Sequence, residues 1–288
     1  MKFAATSLLL VLSLAGCYSP PPLPSQTYVR GPVVSPGITS QPSAPAGPAA
    51  CDEWLSAKET PIADLFGQLQ RAIRPKGEFE TTAAFNDRAQ SAIATIESGL
   101  TQRNGLDQIV AVHRVPPGNI GYNADTGMLK IHSVLPWNTL FGYRNFVSKD
   151  LKSFSPDVDF MPVQTSEART GSYVGSNAFG ATTTVAQYRG TEYGVALMEA
   201  KQGESWAKQR DGVTIGVPPD QAQALKGRVG IKVVGKIVPP GWFEGVTGDS
   251  PTMRNPTDRS ITARYVAINS TCAAVVDLGS GAVLRRLR

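Results

Sequence analysis

The sequence predicts an α+β fold, with two N-terminal amphipathic helices followed by a mainly antiparallel β-sheet. Three observations predict it. Apolar residues recur at helical spacing twice between residues 60 and 105. After Gly105 the pattern changes to short β-type runs separated by Gly, Pro, Asn and Asp. These runs do not alternate with helical patterns, which argues against a doubly wound nucleotide fold. The 288 residues are 41% hydrophobic and 18% charged, a globular composition. No long apolar run follows residue 16, which argues against a multi-span membrane protein.

The first helix is expected to start with Thr60 as N-cap and Pro61 in its first position. Ile62, Leu65, Phe66, Leu69 and Ile73 form its stripe, and Pro75 stops it. Thr81 or Thr82 caps the second, whose stripe is Phe85, Ala89, Ile93, Ile96 and Leu100. Asn104-Gly105 ends it. Gln108 to Val115 reads as a strand. Ile120 to Asn123 and Met128 to Val134 read as a hairpin around Ala124-Asp125-Thr126-Gly127. Gly180 to Tyr188 and Tyr193 to Glu199 read as a second hairpin, turning at Arg189-Gly190-Thr191-Glu192. Pro219 to Leu225 is a short helix capped by Gly227, and Val229 to Val238 is a strand. Ile261 to Ile268, Cys272 to Leu278 and Ala282 to Leu287 read as three more strands, the last two joined by Gly279-Ser280-Gly281.

Upstream of this domain, residues 51–288, lie two segments of other character. Residues 1–16 carry a positive start and a short apolar stretch, the pattern of a signal peptide. Residues 17–50 hold Cys17 and nine prolines, with Arg30 the only charge. Such a linker cannot bury enough apolar surface to order itself. As extended polyproline it would reach on the order of 100 Å. Leu14-Ala15-Gly16-Cys17 resembles the lipobox of bacterial lipoproteins. The resemblance implies cleavage before Cys17, diacylglycerol (palmitate-type) acylation of that cysteine, and membrane lipid as a partner. With Tyr18 rather than Asp after the cysteine, it also implies the outer membrane facing the periplasm in a Gram-negative cell.

Cys51 and Cys272 remain as an even pair in an oxidising compartment, where a disulfide is expected. The formal charge of +5 is modest, and no interleaved basic and aromatic stripes suggest nucleic acid. Arg285, Arg286 and Arg288 read as the solvated end of a last strand, with Leu284 and Leu287 facing inward.

Catalytic motifs are sparse. His113 and His132 are not in a metal-spaced pair, and neither HExxH nor CxxC occurs, so no metal or cofactor is expected. The residues from Gly230 to Lys236 match the spacing of a phosphate loop, but Ile237 stands where Ser or Thr must be. Ser205-Trp206-Ala207-Lys208 matches SxxK, the nucleophile-and-lysine pair of cell-wall enzymes, without the SDN and KTG partners. Pro239-Pro240-Gly241-Trp242-Phe243 places two aromatics in a breaker-rich stretch. Trp242 and Phe243 either anchor a ligand such as peptidoglycan or another glycan, or fold back onto the core. Trp137 and Phe141 pose the same choice.

Three phrases, Lys76 to Thr82, Tyr173 to Gly180 and Asp277 to Leu284, resemble phrases of uncharacterised secreted proteins and lipoproteins of proteobacteria. That resemblance implies a single envelope domain and no mechanism. The expected function is a lipid-anchored envelope protein with a non-enzymatic binding or scaffold domain and an envelope protein partner. The alternatives are a hydrolase or transferase using Ser205 and Lys208, and a glycan-binding module.

Overall fold

A computed structural model of the chain describes residues 48–132, 158–198 and 212–287. The signal peptide, Cys17 and the linker up to residue 47 lie outside them. The described part is α+β. Three helices come first: α1 (Pro48–Ser56), α2 (Ile62–Ala72) and α3 (Thr82–Asn104). The first was not expected from the sequence, and it places the predicted boundary at Cys51 inside a helix. Strands β1 (Ile109–Arg114), β2 (Ile120–Asn123) and β3 (Met128–Ile131) follow. Then come β4 (Asp159–Ser176), β5 (Thr182–Leu197), β6 (Val213–Gly216), α4 (Pro219–Leu225), β7 (Val229–Thr247), β8 (Thr257–Asp277) and β9 (Val283–Leu287). None of the described helices is long and apolar enough to cross a membrane.

The caps of α2 and α3 differ in kind. Thr81 accepts a hydrogen bond from Ala84 N at 3.1 Å, and Gly105 ends α3 in the left-handed region, as the sequence suggests. Thr60 does not cap α2; that position falls to Pro61. Thr60 is buried, and its hydroxyl accepts from Val110 N at 3.0 Å while its own N–H donates to Val110 O at 2.9 Å. Holding the edge of β1 satisfies two buried backbone groups, which a solvent-facing cap would not do.

The main sheet has the order β1-β7-β8-β5-β4, with β9 alongside the C-terminal half of β8. All its pairings are antiparallel except β5 with β8, which is parallel, so the sheet is mixed. A smaller antiparallel sheet, β2-β3-β6, packs into the same core. Leu65, Phe66, Leu69, Ile73 and Ile93 of the helices meet Ile109, Ile231, Val233, Val266 and Val275 of the main sheet there. The opposite face is covered near α1 by Leu55 and Trp54 on Val110, Val234, Ala274 and Val276. Further along that face, Phe160 and Phe243 pack with Tyr265.

The expected hairpin at Arg189-Gly190-Thr191-Glu192 is not a turn. It lies within β5, whose antiparallel partner is β4 and whose turn is Asn177–Ala181. A Cβ on Gly190 would fall against the Ser166 carbonyl oxygen, so the glycine serves a close strand approach. The strands expected at Ile261–Ile268 and Cys272–Leu278 are one strand, β8. Its register slips between Val234 and Gly235, leaving Thr271 as the extra residue. That bulge reverses which alternate residues face the helices, from Val266 and Ile268 to Ala273 and Val275. In the same way β7 continues through Pro239-Pro240 to Thr247, with a second irregularity between Ile237 and Trp242.

The terminal strands of the sheet meet at one point. His113 of β1 donates from Nδ1–H to Pro162 O of β4 at 2.8 Å, so the sheet curls until its edges touch. Burial pushes the His113 imidazole below its ordinary value, against the Pro162 bond and the nearby Glu192 carboxylate, which favour protonation. A depressed histidine binds its proton more readily once unfolded. Its contribution is therefore full above the ordinary value near 6.5 and is lost as pH falls through and below it. We expect stability to decline between pH 7 and 5 by up to about 1.4 kcal/mol per unit. Urea midpoints of wild type and His113→Gln across that range check this; the variant should show the flatter dependence.

Candidate functional site

The predicted aromatic binding loop is not exposed. Trp242 and Phe243 are 9% and 2% accessible. The break in the β7 ladder brings Gly241, at φ 87°, under α2, where a Cβ would come within 2.6 Å of Ile73 Cδ1. Trp242 then donates from its indole N–H to Ile73 O at 2.9 Å, closing the C-terminal end of α2, with Phe66 edge-on to its ring. Prolines at 239 and 240 offer no N–H to a ladder that is already interrupted there. This corrects the glycan-anchor reading: both side chains belong to the core. Trp242→Ala is expected to cost about 3–5 kcal/mol, read as a fall in the thermal midpoint.

The structure brings Cys51 and Cys272 to bonding distance, with Cα atoms 5.8 Å apart. They join the first turns of α1 to the bulged part of β8. Ser205, Lys208, Trp137 and Phe141 lie outside the described residues. Gly230 to Ile237 is continuous strand within β7, and the sharp turn a phosphate loop needs is not there. Of the C-terminal arginines, Arg286 pairs with Asp52, and Arg285 donates to Thr214 O at 2.6 Å. Leu287 is buried and Leu284 half-buried against the same core, as expected; three positions apart, they share a face because Leu284 is the extra residue of a bulge in β9.

Sequence reasoning did not single out the polar groups that the fold gathers. Glu192 is buried on β5 and accepts from the Tyr265 hydroxyl and, at 3.1 Å, from Thr165. Gly194 makes room for the Tyr265 ring, since a Cβ there would sit 2.6 Å from it. Arg264 lies on the other side of the sheet, donating to Glu244 at 2.7 Å and to Tyr193 OH at 2.9 Å, and stacking over Phe66 and Tyr193. Glu97 of α3 accepts from Ile237 N at 3.2 Å; burial pushes its carboxyl up, offset in part by that bond and by Lys236. Asp277 takes Ser280, Gly279 and Arg228 at the β8–β9 turn. There burial raises the carboxyl, but those donors outweigh it and hold it below the ordinary range. Each of these groups is held by neighbours within the fold. Among the described residues, no three His, Cys, Asp or Glu converge on a metal-sized site.

What stands open is an arm. It is formed by the outer parts of β4 and β5, and residues 164–170 of β4 are exposed on both faces. Ion pairs tie the arm across strands: Arg259 to Glu167 at 2.8 Å and Arg189 to Asp258 at 3.1 Å. Arg259 of β8, opposite Tyr188, reaches across β5 to Glu167 of β4, where β4 approaches Gly190 closely. At the tip Asn177 Oδ1 accepts from Phe179 N and Ala181 N, both at 3.0 Å, and Gly180 takes φ 81°. This turn presents Phe179, 96% accessible, and Tyr173 and Val174 are exposed further along β4. The one signal in the sequence was the Asn-x-x-Gly turn; β4 itself has no buried face along this length and so no apolar alternation to read. An exposed, ion-paired strand pair of this kind can bind through its edge or its tip. No protein-family model, no curated protein and no solved structure matches the chain.

Proposed function

We propose that this is a lipid-anchored cell-envelope protein whose globular domain works by binding, as a scaffold, rather than by catalysis. Cys17 in Leu14-Ala15-Gly16-Cys17 is the acylated residue, and the proline-rich linker is the spacer. In a Gram-negative cell the reading places the anchor in the outer membrane, with the domain in the periplasm. The observation that carries the binding role is the exposed, ion-paired arm of β4 and β5. The tether favours the same reading. It joins the domain at α1, which packs on the N-terminal half of β7 and the C-terminal half of β8. The arm lies at the other end of β8, where Thr257 pairs with Ala186. A spacer entering at one end and a binding strand at the other suits display away from the membrane.

The test is labelling of living cells with a palmitate analogue, followed by cross-linking from a photoreactive residue at position 179. Wild type should take up label and cross-link to a defined envelope protein, and Cys17→Ser should lose the label. An unlabelled wild-type protein would overturn the anchor. A labelled protein with no cross-linked partner from the arm would overturn the binding role.

A further inference from the structure

We infer that the outer edge of β4 pairs with the same edge of a second copy of this chain, antiparallel about a two-fold axis at Ala168. β4 is the terminal strand of the main sheet, and past its contact with His113 at Pro162 no described strand pairs with its outer edge. Between its irregularities at Val163 and Thr170 this open edge is regular and is a template for another strand. Residues 164–176 contain no proline and no lysine, two of the residues that most often blunt such edges. The charges select the partner. Glu167 and Arg169 lie on one face either side of Ala168, and antiparallel pairing about Ala168 sets Glu167 of each copy opposite Arg169 of the other. Within one copy Glu167 is paired to Arg259, whereas Arg169 is exposed and has no ion-pair partner among the described residues. The second copy would supply that partner twice, once per strand. A sheet so extended would also place the two arms side by side and double the surface they present. The inference holds whether or not Cys17 carries lipid.

The test uses the full-length protein in cells and in mild detergent. Ala168→Cys, at the axis, should give a disulfide-linked homodimer on mild oxidation, and Asp125→Cys on the β2–β3 turn should not. Arg169→Glu, combined with Ala168→Cys, should slow that cross-link at least tenfold. Adding Glu167→Arg, which restores opposite charges across the axis, should recover it. Light scattering should find wild type dimeric and Arg169→Glu monomeric, with unchanged thermal midpoints. A wild-type monomer at high micromolar concentration, equal cross-linking at positions 168 and 125, or capture of a different protein at position 168 would each overturn the inference.

Discussion

Replacing Cys272 with serine should lower the unfolding free energy by about 3–5 kcal/mol, and replacing Cys51 should cost the same. The bond spans 221 residues, and the chain-entropy treatment gives roughly 5 kcal/mol for so long a loop. What opens first can be named. Without the bond, α1 is held by Leu55 against Val110, Val234, Ala274 and Val276, by the Asp52–Arg286 pair, and by Lys232 donating to Ala57 O at 2.7 Å. The ion pair is exposed and contributes little. The apolar contact of one short helix is then the main restraint on the first turns of the domain. Denaturant titrations of the two single variants and the double variant check this. All three should coincide, and adding reductant should move only the wild type, because the two residues act as one unit. Separate and additive losses would mean that the cysteines contribute independently.

Tyr265 should be the most sensitive single position in the sheet. It is fully buried and its ring packs edge-on to Phe160 at 4.9 Å. Tyr265→Ala removes that packing, opens a cavity over Gly194, and takes a donor from the buried Glu192 carboxylate. We expect about 4–5 kcal/mol from the cavity alone, enough to unfold a marginal domain. Tyr265→Phe keeps the ring and removes only the hydroxyl. It should cost about 1–3 kcal/mol, the usual range for leaving a buried hydrogen-bond partner unsatisfied. Denaturation of the two variants, with slopes equal to wild type, separates the terms. If Tyr265→Phe matched wild type, the Glu192 contact would carry no stability.

Helices α2, α3 and α4 and the first hairpin were legible because their signals are local, whereas α1 was not. The stripe from Ile62 to Ile73, the Thr81 cap and the left-handed Gly105 are each set within a few residues. The long strands were not legible, because they contain residues that usually end strands. Gly190 and Gly235 are required by neighbours distant in sequence: a Cβ on either would strike a carbonyl oxygen of the facing strand, Ser166 or Asn269. Nothing near position 190 distinguishes that demand from a turn. The bulge at Thr271 defeats pattern reading differently, since it shifts the apolar alternation by one and makes one strand look like two. The site was less legible still. The Glu192–Tyr265 contact joins residues 73 positions apart, and the open edge of β4 follows from strand order alone.

The parallel pairing of β5 with β8 has a consequence for how the chain assembles. The β4–β5 and β7–β8 pairs each close across a short connection and can form early from neighbouring sequence. The parallel pairing cannot: Gln187 and Asp258, which hydrogen-bond across it, are 71 positions apart, and β6, α4 and all of β7 lie between. Loop closure of that length must be met before its contacts contribute, so this seam should form late, as should the β1–β7 pairing, whose partners lie farther apart still. An N-terminal portion emerging from a ribosome or an export channel would carry β5 with one side unmatched until β8 followed. For that interval the edge most in need of protection is the middle of the finished sheet, and a holding chaperone would have to act there.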